Sequence, residues 1–433
     1  MTRAGSSRAA LDAMTRATSR WAARDIAPPN RVALALIALA ACAGPDVTPP
    51  LAPALPGAPD AGPPRLVSEA PVAEPDVAEP PMSLAPEAVE PIPGEIAEAV
   101  RTPDAQIPRT ASGEVWLKGV THVHAHASGD SSEPNASVIA WYEQRHYDFI
   151  ALTDHNRVSE LDPGRDTVGQ IALRDPRAGL IVLSGIELTH NPVGCQPVGD
   201  PSGNCRIHVN LLGPTARPSG RLEWAERRSH ARLDMYQAAL TAQGWLGGIA
   251  QINHPQWLWG MTPELLVELS RRGVRLIEIA NSAFSKWNVG DASHASIEAL
   301  WDAALMRGAT LFGTASDDAH DYNGHGKYPP GGGWVVVHAR RDPAAILAAL
   351  SAGRFYASNG VVLTHAEASD GALVIEVDPA ATGSYTIEVI ENGRSVATVH
   401  GRTARRSLPV GGYVRAVVTR DDGKRAWVQP VRR

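Results

Sequence analysis

Short apolar segments alternate with amphipathic segments along residues 111–360, and this alternation predicts βα units around a parallel sheet. Apolar segments of strand length predict seven strands, at Val115–His122, Asp148–Asp154, Leu180–Glu187, Arg206–Leu212, Gly248–Asn253, Val274–Asn281 and Thr310–Ser316. Apolar residues spaced three and four apart predict helices between most of them, at Ser137–Arg145, Ala225–Thr241, Pro263–Arg272 and Ala292–Met306. The sequence therefore predicts an α/β fold, a distorted (β/α)7 barrel whose strands converge at their carboxyl ends on one active face.

The pattern changes near Val361, where helical periodicity stops and alternating strand patterns begin. Asn392 and Gly393 predict a tight turn between strands at Tyr385–Glu391 and Ser395–Val399. Residues 361–433 are therefore expected to form a small β-sandwich-like accessory module. This segment has no cluster of ligand residues, so packing or adhesion is its expected role, with substrate binding as the alternative.

The amino-terminal residues 1–42 have the features of an export signal. Several arginines precede the apolar run Val32–Ala41, which is too short to span a bilayer and has the length of a signal-peptide core. The residues Leu39–Cys42 resemble a bacterial lipobox, and the resemblance implies cleavage before Cys42 and acylation of its thiol. We expect an exported lipoprotein, anchored to the cell envelope and, because Ala43 follows the cysteine, at the outer membrane facing the periplasm.

Residues 43–110 are rich in Pro, Ala, Glu and Val and show neither helical nor strand periodicity. Such a segment cannot bury enough apolar surface to fold, so we expect a disordered linker between anchor and folded domain. The formal net charge of −6 gives no electrostatic attraction to nucleic acid. The expected partners are the membrane, through the lipid anchor, and a small-molecule substrate.

The chain has three cysteines, and with Cys42 lipidated only Cys195 and Cys205 remain. They bracket a short loop rich in Gly and Pro. In an oxidising compartment a disulfide is favoured over two free thiols, and it would fix this loop. A zinc site formed by these two residues alone would lack ligands.

Potential metal ligands stand at the ends of the predicted strands. His122 and His124 are two residues apart in a strand, so their side chains share a face. The other strands carry or precede Asp154 and His155, Glu187, His208, His254, Glu278, and Asp318 and His320. One such residue is ordinarily a hydrogen-bonded loop residue, but the recurrence at successive strands predicts a metal cluster. Water bound to such a cluster has a pKa of about 7, which favours hydrolysis by a metal-bound hydroxide.

The motifs that carry these residues are KGVTHVHAHASGD, FIALTDHN, GIELT, HVNLLG, INHP, IEIANS and SDDAH, in this order. Together they resemble the PHP family, the polymerase and histidinol phosphatase domain, over about residues 113–360. The resemblance implies a barrel of the PHP type with a trinuclear site. Its implied ligands are His122, His124, Glu187 and Asp318 for one ion, Glu187, His208 and His254 for a second, and Asp130, His155 and His320 for the third.

The resemblance further implies two or three divalent ions (Zn, Mn or Fe) and hydrolysis of a small-molecule ester, most simply a phosphate ester. Catalytic roles are expected for Glu187, for His254 and for Asp154, which would orient a ligand or transfer a proton. A carboxylic-ester or carbamate hydrolase on the same site is the alternative enzyme. The non-enzymatic alternative is an envelope protein that only binds metal.

Overall fold

The structure, a computed structural model, describes residues 113–158, 179–216, 221–225, 229–324 and 326–433. The predicted signal peptide, the lipobox with Cys42 and the linker lie outside the described residues. The strands are β1 Val115–Val123, β2 Phe149–Leu152, β3 Ile181–Leu183, β4 Gly185–His190, β5 Ile207–Leu212, β6 Ile249–Ile252, β7 Leu276–Asn281, β8 Phe312–Ser316, β9 Trp334–Ala339, β10 Phe355–Ser358, β11 Leu363–Ser369, β12 Ala372–Val377, β13 Tyr385–Glu391, β14 Arg394–His400, β15 Thr403–Ser407, β16 Val414–Arg420 and β17 Arg425–Val431.

Six α-helices occur within the described ranges, together with short 3-10 helices at His126–Ser128 and Ser282–Phe284. The helices are α1 Asn135–Gln144, α2 Arg232–Leu246, α3 Pro263–Arg271, α4 Ser285–Val289, α5 Ile297–Met306 and α6 Pro343–Ala352. None of these helices is long and apolar enough to cross a membrane.

The strands form three sheets, and the predicted (β/α)7 barrel is wrong. A nine-stranded sheet has the order β14-β13-β16-β17-β10-β9-β1-β2-β3, a five-stranded sheet the order β4-β5-β6-β7-β8, and a three-stranded sheet the order β11-β12-β15. Only the pairs β1/β2, β2/β3, β6/β7 and β7/β8 are parallel. The large sheets are thus mixed, and they do not close into a barrel.

The barrel prediction failed for two local reasons. The predicted strand Leu180–Glu187 is divided at Ser184, so that β3 joins the nine-stranded sheet and β4 begins the five-stranded sheet. A Cβ atom at Gly185 would lie 2.5 Å from the backbone oxygen of Leu152, so glycine permits this close crossing. In addition, β4 and β5 are joined by a loop without a helix and pair antiparallel, and β5 and β6 also pair antiparallel although α2 lies between them in the chain.

Helices α2, α3 and α5 cover one face of the five-stranded sheet and form the largest apolar core with it. Their ends follow from the local sequence. The Thr262 side chain accepts a hydrogen bond from the Leu265 amide at the start of α3, and Ser296 does the same for Ala299 at the start of α5. Pro263 occupies the first turn of α3, where its missing amide proton is no loss.

The carboxy-terminal strands continue the sheet that begins with β1. Strand β9 pairs antiparallel with β1, and β10 pairs with both β9 and β17, so β13, β14, β16 and β17 extend the same sheet. The three-stranded sheet packs against it through an apolar cluster that includes Tyr356, Leu373 and Val418. The carboxy-terminal strands therefore share their core with the nine-stranded sheet.

The two large sheets meet where their strands end. Isolated parallel bridges join Val123, the last residue of β1, to Ala319 after β8, and His155 after β2 to Glu187 in β4. These bridges bring the ends of β1, β2 and β8 and the middle of β4 together at one edge. The candidate site lies at this edge.

Candidate metal centre

The structure brings the nine predicted ligands into one contiguous cluster. His122 lies within β1, Glu187 within β4 and His208 within β5, while the other ligands follow strand ends or lie in the loop after β1. The nine residues are His122, His124, Asp130, His155, Glu187, His208, His254, Asp318 and His320. The Asp130 side chain is 52% exposed, whereas those of His122, His124 and Glu187 are fully buried. The cluster therefore extends from the core to the surface.

The innermost group combines two imidazoles and two carboxylates. Nε2 of His122 lies 3.3 Å from Oε1 of Glu187 and 3.2 Å from Oδ1 of Asp318. Nε2 of His124 lies 3.1 Å from the same Asp318 oxygen, and the two Nε2 atoms are 3.0 Å apart. Four atoms that are all potential metal ligands thus converge on one point.

The partners on the far side of the two rings hold the imidazoles in place. Nδ1 of His122 is 2.8 Å from Oε1 of Glu278, and a carboxylate can only accept, so this nitrogen carries a proton. Nδ1 of His124 is 2.8 Å from Oγ of Ser128, a hydroxyl that can donate or accept. In the neutral His122 ring, Nε2 is the free ligand atom, and it faces the carboxylates of Glu187 and Asp318. A cation can satisfy such a set of acceptors.

A second group shares Glu187. Nδ1 of His208 lies 3.1 Å and Nε2 of His254 lies 3.8 Å from Oε1 of Glu187. Asn253 donates to the same oxygen over 2.8 Å. Nδ1 of His254 is buried and has no hydrogen-bond partner among the described residues. Glu187 thus stands between two potential metal positions.

The third group lies nearest to solvent. Oδ2 of Asp130 is 3.0 Å from Nε2 of His155 and 3.3 Å from Nε2 of His320. Nδ1 of His320 donates to the backbone oxygen of Asp318 over 2.9 Å, which leaves its Nε2 as the acceptor. His124 stacks on His320 and also belongs to this group. Buried and partly buried His, Asp and Glu side chains can therefore hold metal ions here.

Close packing of these groups drives their pKa values apart. Burial alone would lower the pKa of His122, but the carboxylates of Asp318, Glu278 and Glu187 raise it well above its ordinary value. Burial and the neighbouring His320 lower the pKa of His124 to about 3. Two adjacent rings with opposite shifts do not both hold a second proton, because each positive charge disfavours the other.

Backbone strain accompanies the ligand positions. His254 and Asp318 have positive φ angles of 25° and 51°, in a region that residues other than glycine rarely adopt. Such conformations cost about 1 kcal/mol or more each and tend to occur at functional sites. The backbone is therefore strained where these two side chains are directed into the cluster.

A cavity of about 160 Å³ opens over the cluster. Six of the ligands line it, at Asp130, His155, His208, His254, Asp318 and His320. The remaining lining residues are Asn191, Trp257, Phe284 and Tyr328. The Trp257 and Phe284 rings lie 4.4 Å apart and both contact His254, so one wall of the cavity is aromatic.

Some residues highlighted by the sequence lie beside the cluster. Asp154 is fully buried and does not line the cavity; its Oδ1 accepts from the Ala125 amide, and burial raises its pKa to about 7. Asp317, the neighbour of Asp318, accepts from the Gly332 and Gly333 amides and shapes the following loop. Cys195 and Cys205 are joined by a disulfide.

Several contacts of the centre had no signal in the sequence. Ser128 and Thr189 contact His124 and His155, and Asn191 contacts His208. These residues lie in loops or at a strand end, where small polar residues are common for other reasons. Trp257 follows the NHP motif, yet a lone aromatic residue does not distinguish a cavity wall from core packing.

The scan against protein-family models finds no match to this chain, and the search of curated proteins finds none either. Functional inference therefore rests on the geometry of the centre and on the motifs themselves.

Proposed function

We propose that this chain is a metal-dependent phosphoesterase that hydrolyses a small phosphate ester in the cavity above the cluster. The observation that carries the proposal is the convergence of the His122 and His124 Nε2 atoms on the carboxylates of Glu187 and Asp318. An open cavity adjoins this point. The resemblance of the motifs to the PHP family supports the same activity.

The ligand groups that we propose follow the three sets of side chains in the structure. One ion would be held by His122, His124, Glu187 and Asp318, a second by Glu187, His208 and His254, and a third by Asp130, His155 and His320. Divalent ions such as Zn, Mn or Fe in this centre would lower the pKa of water and offset negative charge on the ester oxygens.

The protein's own contribution is to hold the ligands in position. Glu278 accepts a hydrogen bond from Nδ1 of His122 and another from the His254 amide over 2.6 Å, so it helps to orient both of these ligands. Asn253 and Thr189 donate to the two oxygens of Glu187, over 2.8 and 3.1 Å. Such partners fix the rings and carboxylates before substrate arrives.

The three residues to which we assign catalytic roles differ in how close they lie to the cavity. His254 lines the cavity and is shielded on one side by Trp257 and Phe284, which exclude water from that wall. Glu187 lies beneath the cavity and joins two ligand groups. Asp154 acts at a distance in this proposal, because its contact is with the backbone at Ala125, next to His124.

One observation favours the second candidate, a carboxylic-ester or carbamate hydrolase. The described residues that line the cavity include neither Lys nor Arg, the side chains that most often bind phosphate in proteins. The aromatic wall suits an uncharged organic group. The same ligand set would serve either ester class, so substrate preference decides between them.

The experiment compares rates of hydrolysis of matched nitrophenyl substrates by the purified, metal-loaded protein: a phosphate monoester, a phosphate diester and a carboxylic ester. A preference of at least tenfold for a phosphate ester is the expected result. A preference for the carboxylic ester would replace the first candidate by the second. Bound metal without turnover of any substrate would favour a metal-binding protein that is not an enzyme.

The variant His254→Ala tests the centre directly. We expect it to lose bound metal and more than about 100-fold in turnover, since a ligand and cavity residue is removed. His400→Ala, which replaces an exposed histidine on β14, is the matched control and should retain both. Unchanged turnover in His254→Ala would exclude the proposed centre.

A further inference from the structure

The loop between β4 and β5 places Asn191 against a histidine of the second ligand group. Oδ1 of Asn191 lies 2.8 Å from Nε2 of His208, while Nδ1 of the same ring lies 3.1 Å from Oε1 of Glu187. The imidazole is therefore held between an amide and a carboxylate. Asn191 itself is the first residue after β4.

We propose that Asn191 is a positioning residue, which accepts the Nε2 proton of the metal-bound His208 ring and so directs Nδ1 to the ion. A neutral imidazole carries one proton, and only the unprotonated nitrogen can be a ligand. Without an ion, Nδ1 of His208 faces the Glu187 carboxylate, which also accepts protons. With the ion that Glu187 and His254 would share, Nδ1 is the ligand atom, and the amide oxygen of Asn191 is in place to accept the proton on Nε2. The inference rests on the metal centre proposed above.

The loop is built to hold Asn191 in place. The disulfide between Cys195 and Cys205 closes it, and the Cys205 amide donates to the backbone oxygen of Pro192 over 2.9 Å. Pro192 also restricts the backbone of the preceding Asn191 to extended conformations. A fixed partner lowers the entropy lost when the ring is oriented for binding.

The loop is also anchored at a second point. The Gln196 amide donates to the backbone oxygen of His230 over 2.7 Å, and the Arg232 amide donates to the backbone oxygen of Gln196 over 2.9 Å. Arg232 begins α2, and its Nε donates to the backbone oxygen of Pro197. The position of Asn191 is therefore set by the disulfide on one side and by the start of a buried helix on the other.

The experiment titrates metal-stripped full-length protein with Zn²⁺ against a competing chelator and counts the ions retained after dialysis. Asn191→Leu, which keeps the size and removes the acceptor, is expected to weaken one binding site by 10- to 100-fold while the other sites keep their affinities. Asn191→Asp, which retains an acceptor oxygen, is expected to restore the affinity. Asn204→Leu is the matched control, because its side chain contacts Ser202 in the same loop and should leave all sites unchanged.

A spectroscopic readout tests the proton position separately. Long-range ¹H–¹⁵N spectra of histidine-labelled, zinc-loaded protein report which ring nitrogen carries the proton, and His208→Gln identifies the His208 signal. We expect the Nε2–H form in the wild type, and a shifted Nε2 proton that exchanges faster with water in Asn191→Leu. An Nδ1–H form in the zinc-loaded wild type would overturn the inference.

The outcomes separate this inference from the proposed function. If the wild type binds ions and Asn191→Leu binds them with the same affinities, the positioning role is wrong and the metal centre stands. If Asn191→Leu changes only KM, Asn191 contacts substrate instead, and the inference is again wrong. If the wild type binds no ion, the metal centre and the inference fall together.

Discussion

The ion pair between Asp302 on α5 and Arg415 on β16 offers a test of how the carboxy-terminal strands are joined to the rest of the fold. Nε of Arg415 donates to Oδ1 of Asp302 over 2.7 Å, and Nη2 donates to Oδ2 over 2.5 Å. The hydroxyl of Tyr413 donates to Oδ1 over 2.6 Å. The Arg415 side chain is only 2% exposed, so the pair is screened from water.

Removing one partner should be costly, because the other charge would remain buried. Asp302→Ala leaves the Arg415 guanidinium without its bidentate acceptor, and breaking such a pair lowers the free energy of unfolding by about 3–5 kcal/mol. At a scale of about 2 °C for each kcal/mol in a domain of this size, Tm falls by roughly 6–10 °C. The double variant Asp302→Leu, Arg415→Met removes both charges, and we expect it to be within about 1 kcal/mol of the wild type or more stable.

The assay is equilibrium urea unfolding followed by both tryptophan fluorescence and far-ultraviolet circular dichroism. Glu268→Ala is the matched control, since it removes an ion pair with Arg272 at the end of α3, whose side chains are 34% and 32% exposed, and should cost about 0.5 kcal/mol or less. A loss below about 1 kcal/mol in Asp302→Ala would refute the reasoning, because it would mean that water, or Glu298 with its Oε2 3.8 Å from Nη1 of Arg415, compensates the charge. A double variant less stable than Asp302→Ala would refute it as well.

Three further predictions follow from other contacts. Glu278→Gln should weaken metal binding 10- to 100-fold in a chelator competition, because an amide cannot accept all the hydrogen bonds that the carboxylate accepts. The control Glu376→Gln changes an exposed residue and should leave the affinity unchanged. Equal affinities in both variants would contradict this prediction. Burial lowers the pKa of Lys118 to about 8. Between about pH 8 and about pH 10.5, Lys118 binds a proton more often in the unfolded chain than in the folded one, so the folded state gains stability as the pH rises. In urea unfolding, the free energy of unfolding of the wild type minus that of Lys118→Met should rise by about 1 kcal/mol per pH unit in this range. A difference that does not change with pH would exclude the shift. Replacing Cys195 and Cys205 by Ser should lower the free energy of unfolding by about 3 kcal/mol, measured in urea without reductant, and an unchanged midpoint would count against it.

Much of the secondary structure could be predicted, because hydrophobic periodicity reflects local burial. Strands occur at all seven predicted segments, although Leu180–Glu187 is divided between two of them. The side chains of His122 in β1 and His124 just after it lie together, as their spacing predicts. Strand direction is a different matter. Nothing in the apolar pattern of β5 indicates whether it runs parallel or antiparallel to β4. The connecting segments do not indicate it either, because β5 pairs antiparallel with β4 across a loop and with β6 across a helix.

The division of one predicted strand could not be predicted either. The run from Leu180 to Glu187 is apolar throughout, as a strand buried on both faces would be, and it does not reveal that β3 and β4 belong to different sheets. The residues that contact the ligands of the metal centre could not be predicted for a similar reason. Asn191 and Ser128 gain their roles from residues distant in sequence or from a loop conformation, and side-chain spacing does not encode either one.

The position of β17 in the nine-stranded sheet has a consequence for how the chain folds. Residues Arg425–Val431 lie between β16 and β10, so an interior strand of the sheet is distant in sequence from β10, one of its two neighbours. Arg432, beyond it, donates to the backbone oxygens of Leu305 and Ala309 at the end of α5. Pairing across such a sequence distance closes large loops and is slow. The sheet is thus incomplete until β17 has been synthesised, and a chain truncated before residue 425 would expose the edges of β10 and β16.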